Sequence, residues 1–329
     1  MGCGYDRVVM NKRDQHRISQ TEWLTRIEAA KARDPLKYYI PNPKQLEYHE
    51  SGGNRILFVC GNGTGKSYGG AREHVLAATG RHWVTKANGY AFDKYPKPPL
   101  DMRICAEKQA LTGKGDGSEA IIPMLKRLLK NDLAPGYPMK DGTAIECSWL
   151  LNNGTYFDIL TYDQDDDKFE SVSKHKIWFD EPPRESIYKA SVARMRKGKG
   201  GIIDFTLTPL FEAAWMYDRF IAQTGLKHAD MERVAIIEAS AWTNCKCLTP
   251  DLHDNDPDYY HDGEGHCTCN KGFIHKEAIE IMIAEYDESE VDARVYGKFI
   301  SMRDLVYGAY DPAVHMLNDE IMPVIKRAS

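Results

Sequence analysis

The chain has 329 residues, 42% of them hydrophobic and 28% charged, with a formal net charge of −5. That is length enough for one large core or two smaller ones, and the acidic balance excludes a global basic field, so any contact with nucleic acid has to be local. No apolar run approaches the ~18 residues of a membrane-spanning helix and no apolar secretory segment opens the chain, so the expectation is a cytosolic protein with no membrane partner.

Residues 1–36 are polar, with one amphipathic segment from Thr21 to Ala32 carrying Trp23, Leu24, Ile27 and Ala30. This spacing predicts a helix, either lying plainly on the surface or docking on the domain or a partner. Pro41 and Pro43 then stiffen the approach to a second short helix. There Gln45 can offer its amide to the edge of an adenine, with Tyr38 or Tyr39 stacking on the ring; taken alone, Gln45 reads as a surface residue.

The stretch Ile56–Ser67 is an apolar run emptying into glycines and ending in Gly65-Lys66-Ser67. It predicts a buried strand, a phosphate loop and a helix beginning where the glycines stop. Backbone N–H groups of Gly61, Asn62, Gly63, Thr64 and Gly65 can wrap a phosphate, and the helix N-terminus adds its partial positive charge. Lys66 can then reach the β- and γ-phosphates of ATP while the Ser67 hydroxyl ligates Mg²⁺. One position departs from G-x-x-x-x-G-K-[ST]: the first glycine is Cys60.

Further on, Leu100–Ala106 predicts a strand and Ile121–Leu128 an amphipathic helix. Ile145–Leu150 and Tyr156–Tyr162 predict two strands joined at the hairpin signal Asn152-Asn153-Gly154. The acidic run Asp163–Asp167 reads as a solvated loop. Beyond it, Lys176–Phe179 predicts a buried strand with Asp180 and Glu181 at its C-terminal end, where open α/β sheets bind ligands. Asp180 is placed to hold Mg²⁺ through water and Glu181 to polarise the water that attacks the γ-phosphate. A third strand, Gly201–Pro209, ends in Thr206, Thr208 and Pro209, and the two threonine hydroxyls can sense a γ-phosphate. The basic residues before it, Arg194, Arg196, Lys197 and Lys199, read as a solvated loop, as DNA-phosphate contacts or as the source of an arginine finger for a neighbouring subunit.

Of eight cysteines, Cys245, Cys247, Cys267 and Cys269 crowd together, with His253, His261 and His266 between them. Four thiolates suit a tetrahedral structural Zn²⁺, and the intervening segment has too few apolar residues to fold by burial alone. A zinc-clamped insertion is therefore expected.

In this order, Gln45, the loop at 60–67, Tyr162-Asp163-Gln164 with Lys168-Phe169-Glu170, Ile177–Pro183, Thr206–Leu210, Asp292–Phe299, Val306-Tyr307 and His315 resemble large terminase subunits, the DNA-packaging motors of tailed bacteriophages. The resemblance implies an additional-strand, RecA-like P-loop NTPase of α/β class that forms a homo-oligomeric ring on the portal protein, works with a small terminase subunit and drives double-stranded DNA into the procapsid. It implies Lys66 and Ser67 on phosphate and Mg²⁺, Asp180 as the Walker B acid, Glu181 as the catalytic carboxylate, Thr206, Thr208 and Pro209 as the coupling motif, and Gln45 beside adenine. Localisation would be the host bacterial cytoplasm, transiently at the portal. Two departures matter. The family often carries an arginine within its phosphate loop, where Asn62 and Thr64 stand here. Fourteen residues follow His315, too few for the RNase H-like nuclease domain of full-length members, so an ATPase portion without nuclease activity is expected.

The expected division is an N-terminal extension (1–36), an ATPase core (37–240), the Cys/His-rich insertion (241–272) and a C-terminal helical lid with linker (273–329). Two rivals remain. A superfamily 2 helicase would need a second RecA-like domain, for which no motifs follow Pro209; a nucleotide-binding assembly module would not need Glu181.

Overall fold

Strands buried on both faces read as near-continuous apolar runs, and four such strands, flanked by two partly exposed ones, run parallel here. The computed structural model describes residues 20–39, 41–81, 94–113, 120–140, 145–197, 201–210, 213–222, 234–243, 274 and 276–299. Its strands are β1 (Arg55–Cys60), β2 (Asp101–Ala106), β3 (Met139–Lys140), β4 (Glu146–Leu150), β5 (Tyr156–Thr161), β6 (Lys176–Asp180), β7 (Ile202–Leu207) and β8 (Val234–Ala239). They form one sheet in the order β3-β4-β5-β2-β6-β7-β1-β8. From β5 to β8 every pairing is parallel, and only β4 and β3 add on antiparallel.

The described helices are α1 (Gln20–Arg33), α2 (Pro43–Glu50), α3 (Lys66–Thr79), α4 (Lys108–Thr112), α5 (Ile121–Leu129), α6 (Asp166–Phe169), α7 (Glu185–Val192), α8 (Ala214–Met216), α9 (Lys276–Glu285) and α10 (Glu288–Arg294). Alternation along each strand gives the sheet two apolar faces. Met102, Ile104, Phe157, Ile159 and Trp178 pack with α3 and α5. Leu57, Val59, Ile177, Phe179, Ile203 and Phe205 pack on the other side with α7 and with Met216 and Phe220. Among the charged residues buried in this interior, Lys176 and Asp204 are fully enclosed. They pair with each other across β6 and β7, and Tyr48 donates to the same carboxylate at 3.0 Å, so neither charge is left uncompensated.

The strands expected from the apolar runs are all present, with ends that differ from the expected ones by one or two residues. The acidic run is not wholly a solvated loop: Asp166–Phe169 coil into a helical turn, because Phe169 is fully buried and pulls the backbone inward. β8 and β3 were not foreseen. Helix α1 is present with Trp23 and Leu24 about half exposed, 47% and 50%, which fits a surface helix among the described residues.

Candidate functional site

The phosphate loop rises from the C-terminal end of β1. Cys60 ends that strand buried among Tyr48, Ile56 and Phe58, so the position usually held by glycine is here an ordinary strand residue and tolerates a side chain. Burial pushes its thiol up to about 12, keeping it neutral. Gly63 and Gly65 take left-handed backbone at φ 72° and 81°, and α3 begins at Lys66 with its first amides turned toward the loop.

The loop is fastened from beneath by α2. Asn42 Nδ2 donates to the Thr64 carbonyl at 3.1 Å and Gln45 Nε2 to the Gly65 carbonyl at 2.9 Å. Asn42 and Gln45 also form a reciprocal capping box at the start of α2, with bonds of 2.7 and 3.0 Å. Gln45 is thus 1% exposed, and its oxygen additionally accepts from the Tyr39 hydroxyl at 3.2 Å. Tyr39 is likewise buried, with the Arg72 guanidinium 4.5 Å from its ring centre, while Tyr38 is exposed. Asn42 was not foreseen from sequence; its signal was the spacing Asn-Pro-Lys-Gln, a capping box in which the N-cap is asparagine.

The acidic pair lies two strands away, at the same end of the sheet. Asp180 closes β6 and is 2% exposed. Ser67 Oγ donates to its Oδ2 at 3.2 Å and Thr206 Oγ1 to its Oδ1 at 2.7 Å, while Trp178 Nε1 donates to the same Thr206 hydroxyl at 2.8 Å. Trp178 therefore fixes which way the threonine proton points, a role invisible before the β6–β7 register places the two side chains together. Burial, then the neighbouring Glu181 carboxylate, raises Asp180 from its usual range to about 6, against the opposing pull of Lys66.

Glu181 Oε1 pairs with Lys66 Nζ at 2.9 Å, and its Oε2 accepts from the Thr208 amide at 3.0 Å. Its own amide donates to the Thr206 carbonyl at 2.8 Å. Burial alone would depress Lys66, but the Glu181 and Asp180 carboxylates outweigh it and hold the ammonium above its ordinary value. Lys66, Ser67, Asp180, Glu181, Thr206 and Thr208 are thus joined by direct bonds, with Pro209 next in the chain. A hydroxyl and a carboxylate in contact at the loop's edge are a donor set that suits Mg²⁺, which binds through one or two protein oxygens and keeps its waters.

Arg194 and Arg196 are not part of this cluster. Their loop precedes β7 and meets the residue that leads into β6, where Lys174 N donates to the Arg194 carbonyl at 3.0 Å. They therefore sit at the opposite end of the parallel strands from Lys66. Arg194 pairs with Glu170 at 3.1 Å, and Arg196 bonds the Ala193 carbonyl at 2.7 Å. Cys245, Cys247, Cys267 and Cys269 lie outside the described residues; among the described residues no group of three or more His, Cys, Asp or Glu could hold a metal.

The C-terminal helices reach back to the loop. The Asn62 amide donates to the Arg294 carbonyl at 2.5 Å and the Ala241 amide to the Val295 carbonyl at 2.6 Å. Backbones approach so closely here that a Cβ on Gly61 would stand 2.2 Å from the Val295 oxygen, and one on Gly297 would stand 2.7 Å from the Ala239 oxygen.

The family profile described as terminase large subunit, T4-like-virus type, N-terminal, matches residues 57–266, more than half of the chain and all of the polar cluster above. The chain belongs to the terminase large subunit family. A terminase large subunit of Salmonella phage P22 is 27% identical to it over 271 residues, 73% of this chain and 52% of that protein. This terminase chain thus spans about half the length of the curated relative it matches. The large terminase of the thermophilic bacteriophage D6E superposes on it with a TM-score of 0.50 at 15% identity, over 84% of this chain and 58% of that one. The same D6E terminase in complex with ADP gives a TM-score of 0.50 at 17% identity, over 84% and 57%. At such identities the likeness speaks for the fold: a mixed α/β domain on a mostly parallel eight-stranded sheet.

Proposed function

We propose that this chain is the ATP-hydrolysing part of a DNA-packaging motor, which moves double-stranded DNA through a portal into the procapsid. The observation that carries the proposal is the Lys66–Glu181 pair of 2.9 Å, set beside the Ser67–Asp180 contact at the C-terminal edge of the sheet. β7 stands between the loop strand β1 and the acidic strand β6, the arrangement that defines additional-strand, RecA-like P-loop ATPases and supports that finer class.

Without nucleotide, Lys66 and Glu181 neutralise each other. An arriving β- and γ-phosphate gives Lys66 a stronger partner, and the Glu181 Oε1 is released to take a proton from the attacking water. Its other oxygen stays on the Thr208 amide, which keeps the carboxylate aimed and ties it to the end of β7. Ser67 and Asp180 would hold Mg²⁺, which when bound neutralises phosphate charge. The loop carries Asn62 and Thr64 and no arginine, so transition-state charge calls for an arginine from elsewhere, most simply from a neighbouring subunit of a ring. Gln45, buried beneath the loop, would report on adenine through that loop. Portal protein, a small terminase subunit, a bacterial cytoplasmic setting and a structural Zn²⁺ on the four clustered cysteines complete the proposal.

Steady-state ATP hydrolysis by the purified chain, with and without double-stranded DNA, tests it against Lys66→Ala and Glu181→Gln. Removing a general base costs about 10²- to 10⁴-fold, so Glu181→Gln should fall by that much, Lys66→Ala should lose turnover through its lost hold on phosphate, and DNA should raise the turnover of the unmodified chain. Tight ATP binding with turnover indifferent to Glu181 would leave a nucleotide-binding assembly module instead.

A further inference from the structure

Glu181 is the one non-glycine residue among those described with left-handed backbone, at φ 67°. For a side chain with a Cβ this conformation is strained, and it persists only where the surroundings over-determine it. Its amide side is held by the Thr206 carbonyl. The carbonyl side is held by a residue from elsewhere in the sheet. Tyr162 is the first residue past β5, and its hydroxyl lies 2.8 Å from the Glu181 carbonyl, 3.0 Å from the Asp180 carbonyl and 3.1 Å from the Cys105 carbonyl. It reaches there across the end of β2, the strand that separates β5 from β6.

We propose that Tyr162 is a positioning residue for hydrolysis: its single hydroxyl proton clamps the strained Asp180–Glu181 peptides, and so aims the Glu181 carboxylate at the attacking water. The inference rests on the ATPase reading and adds to it a residue that touches neither nucleotide nor metal. Three further observations favour it. Tyr162 is buried and its ring stacks on Phe179 of β6, 6.4 Å between centres and 24° between planes, so the hydroxyl has little freedom to leave. Burial first, and nearby Cys105, Asp180 and Glu181 after it, raise the phenol well above its ordinary value, so it remains a donor. The turn that delivers it is itself braced: Gln164 N donates to the Thr161 carbonyl at 3.2 Å, Thr161 N to Gln164 Oε1 at 3.3 Å, and Thr161 Oγ1 bonds the Asp163 carboxylate.

The test is Tyr162→Phe, which keeps the stacked ring and deletes only the hydroxyl. Releasing backbone strain of this kind should lower kcat by about 10- to 100-fold, while Mg·ATP affinity changes far less, because the phosphate loop that carries Lys66 and Ser67 keeps its own bonds to Asn42 and Gln45. In a Glu181→Gln background the same change should cost nothing more in single-turnover hydrolysis, since the residue acts only through that carboxylate. Melting temperatures of all four proteins, measured alongside, separate aim from folding. An unaltered kcat, a loss that appears in affinity, or a full further loss on top of Glu181→Gln would overturn the inference. Turnover that is independent of Glu181 in the unmodified chain would overturn the ATPase reading itself.

Discussion

At the scale of single residues, the site is a set of charges that neutralise one another, and in the proposed function a nucleotide separates them. Lys66 and Ser67 were legible in the sequence because they close a glycine-rich loop between a strand and a helix, and Asp180 and Glu181 because they sit where an apolar strand ends, the end at which α/β sheets hold ligands. Asn42, Trp178 and Tyr162 gave no comparable signal for these roles. Each acts by bonding a neighbour brought close only by strand order or by α2 packing under the loop. His74, on α3 behind the loop, gives a pH test at this scale. It is fully buried, 5.1 Å edge-on from Phe157, and neither ring nitrogen has a hydrogen-bond partner among the described residues. Burial, with Lys176 adding to it, holds its folded-state value well below the ordinary 6.5. The sign follows: both states are neutral above 6.5, and as pH falls below it only the unfolded chain takes the proton, so stability declines. His74→Leu should therefore match or exceed the unmodified chain's stability at pH 7.5, by up to about 1–3 kcal/mol if the unpartnered nitrogens are costly. Its loss between pH 7.5 and 5 should be the smaller one. An equal or steeper acid loss in thermal denaturation would contradict this.

At the scale of elements, the packing of α3 on the sheet decides where Lys66 and Ser67 stand. Gly70 lies directly on the Trp178 indole, where an added Cβ would come within 2.5 Å of the ring. Helix propensity argues for alanine there, by ~1 kcal/mol, but overpacking a closed core costs ~1–3 kcal/mol. The clash should win. Gly70→Ala should lower the melting temperature and, by tilting the indole away from Thr206, reduce hydrolysis as well; a higher melting temperature would show that the helix–sheet contact is looser than described. The long apolar runs β1, β6 and β7 were legible because burial on both faces writes itself into composition. β8 was not, since it is an edge strand whose Ile236 is exposed and whose place depends on pairing with β1. Lys176 and Asp204 broke the apolar pattern of β6 and β7 for a reason only the register reveals: β6 and β7 pair Trp178 with Asp204, which sets that carboxylate beside Lys176 on the same face.

At the scale of the whole molecule, the C-terminal helices pack back against the phosphate loop. The Asn62 amide bonds the Arg294 carbonyl at the end of α10, and the Ala241 amide, just past β8, bonds the Val295 carbonyl. The order of motifs made the family legible, but the four cysteines of the Cys-rich insertion lie outside the described residues. The central claim is that Glu181 performs chemistry and does not simply complete an ion pair. Single-turnover hydrolysis of pre-bound Mg·ATP, measured beside equilibrium ATP affinity in the unmodified chain and in Glu181→Gln, tests it most directly. Freed of its carboxylate partner, Lys66 should leave ATP bound as tightly or more tightly in the variant, with the hydrolytic step slowed at least about 10²-fold. Hydrolysis at the unmodified rate in Glu181→Gln would contradict the account.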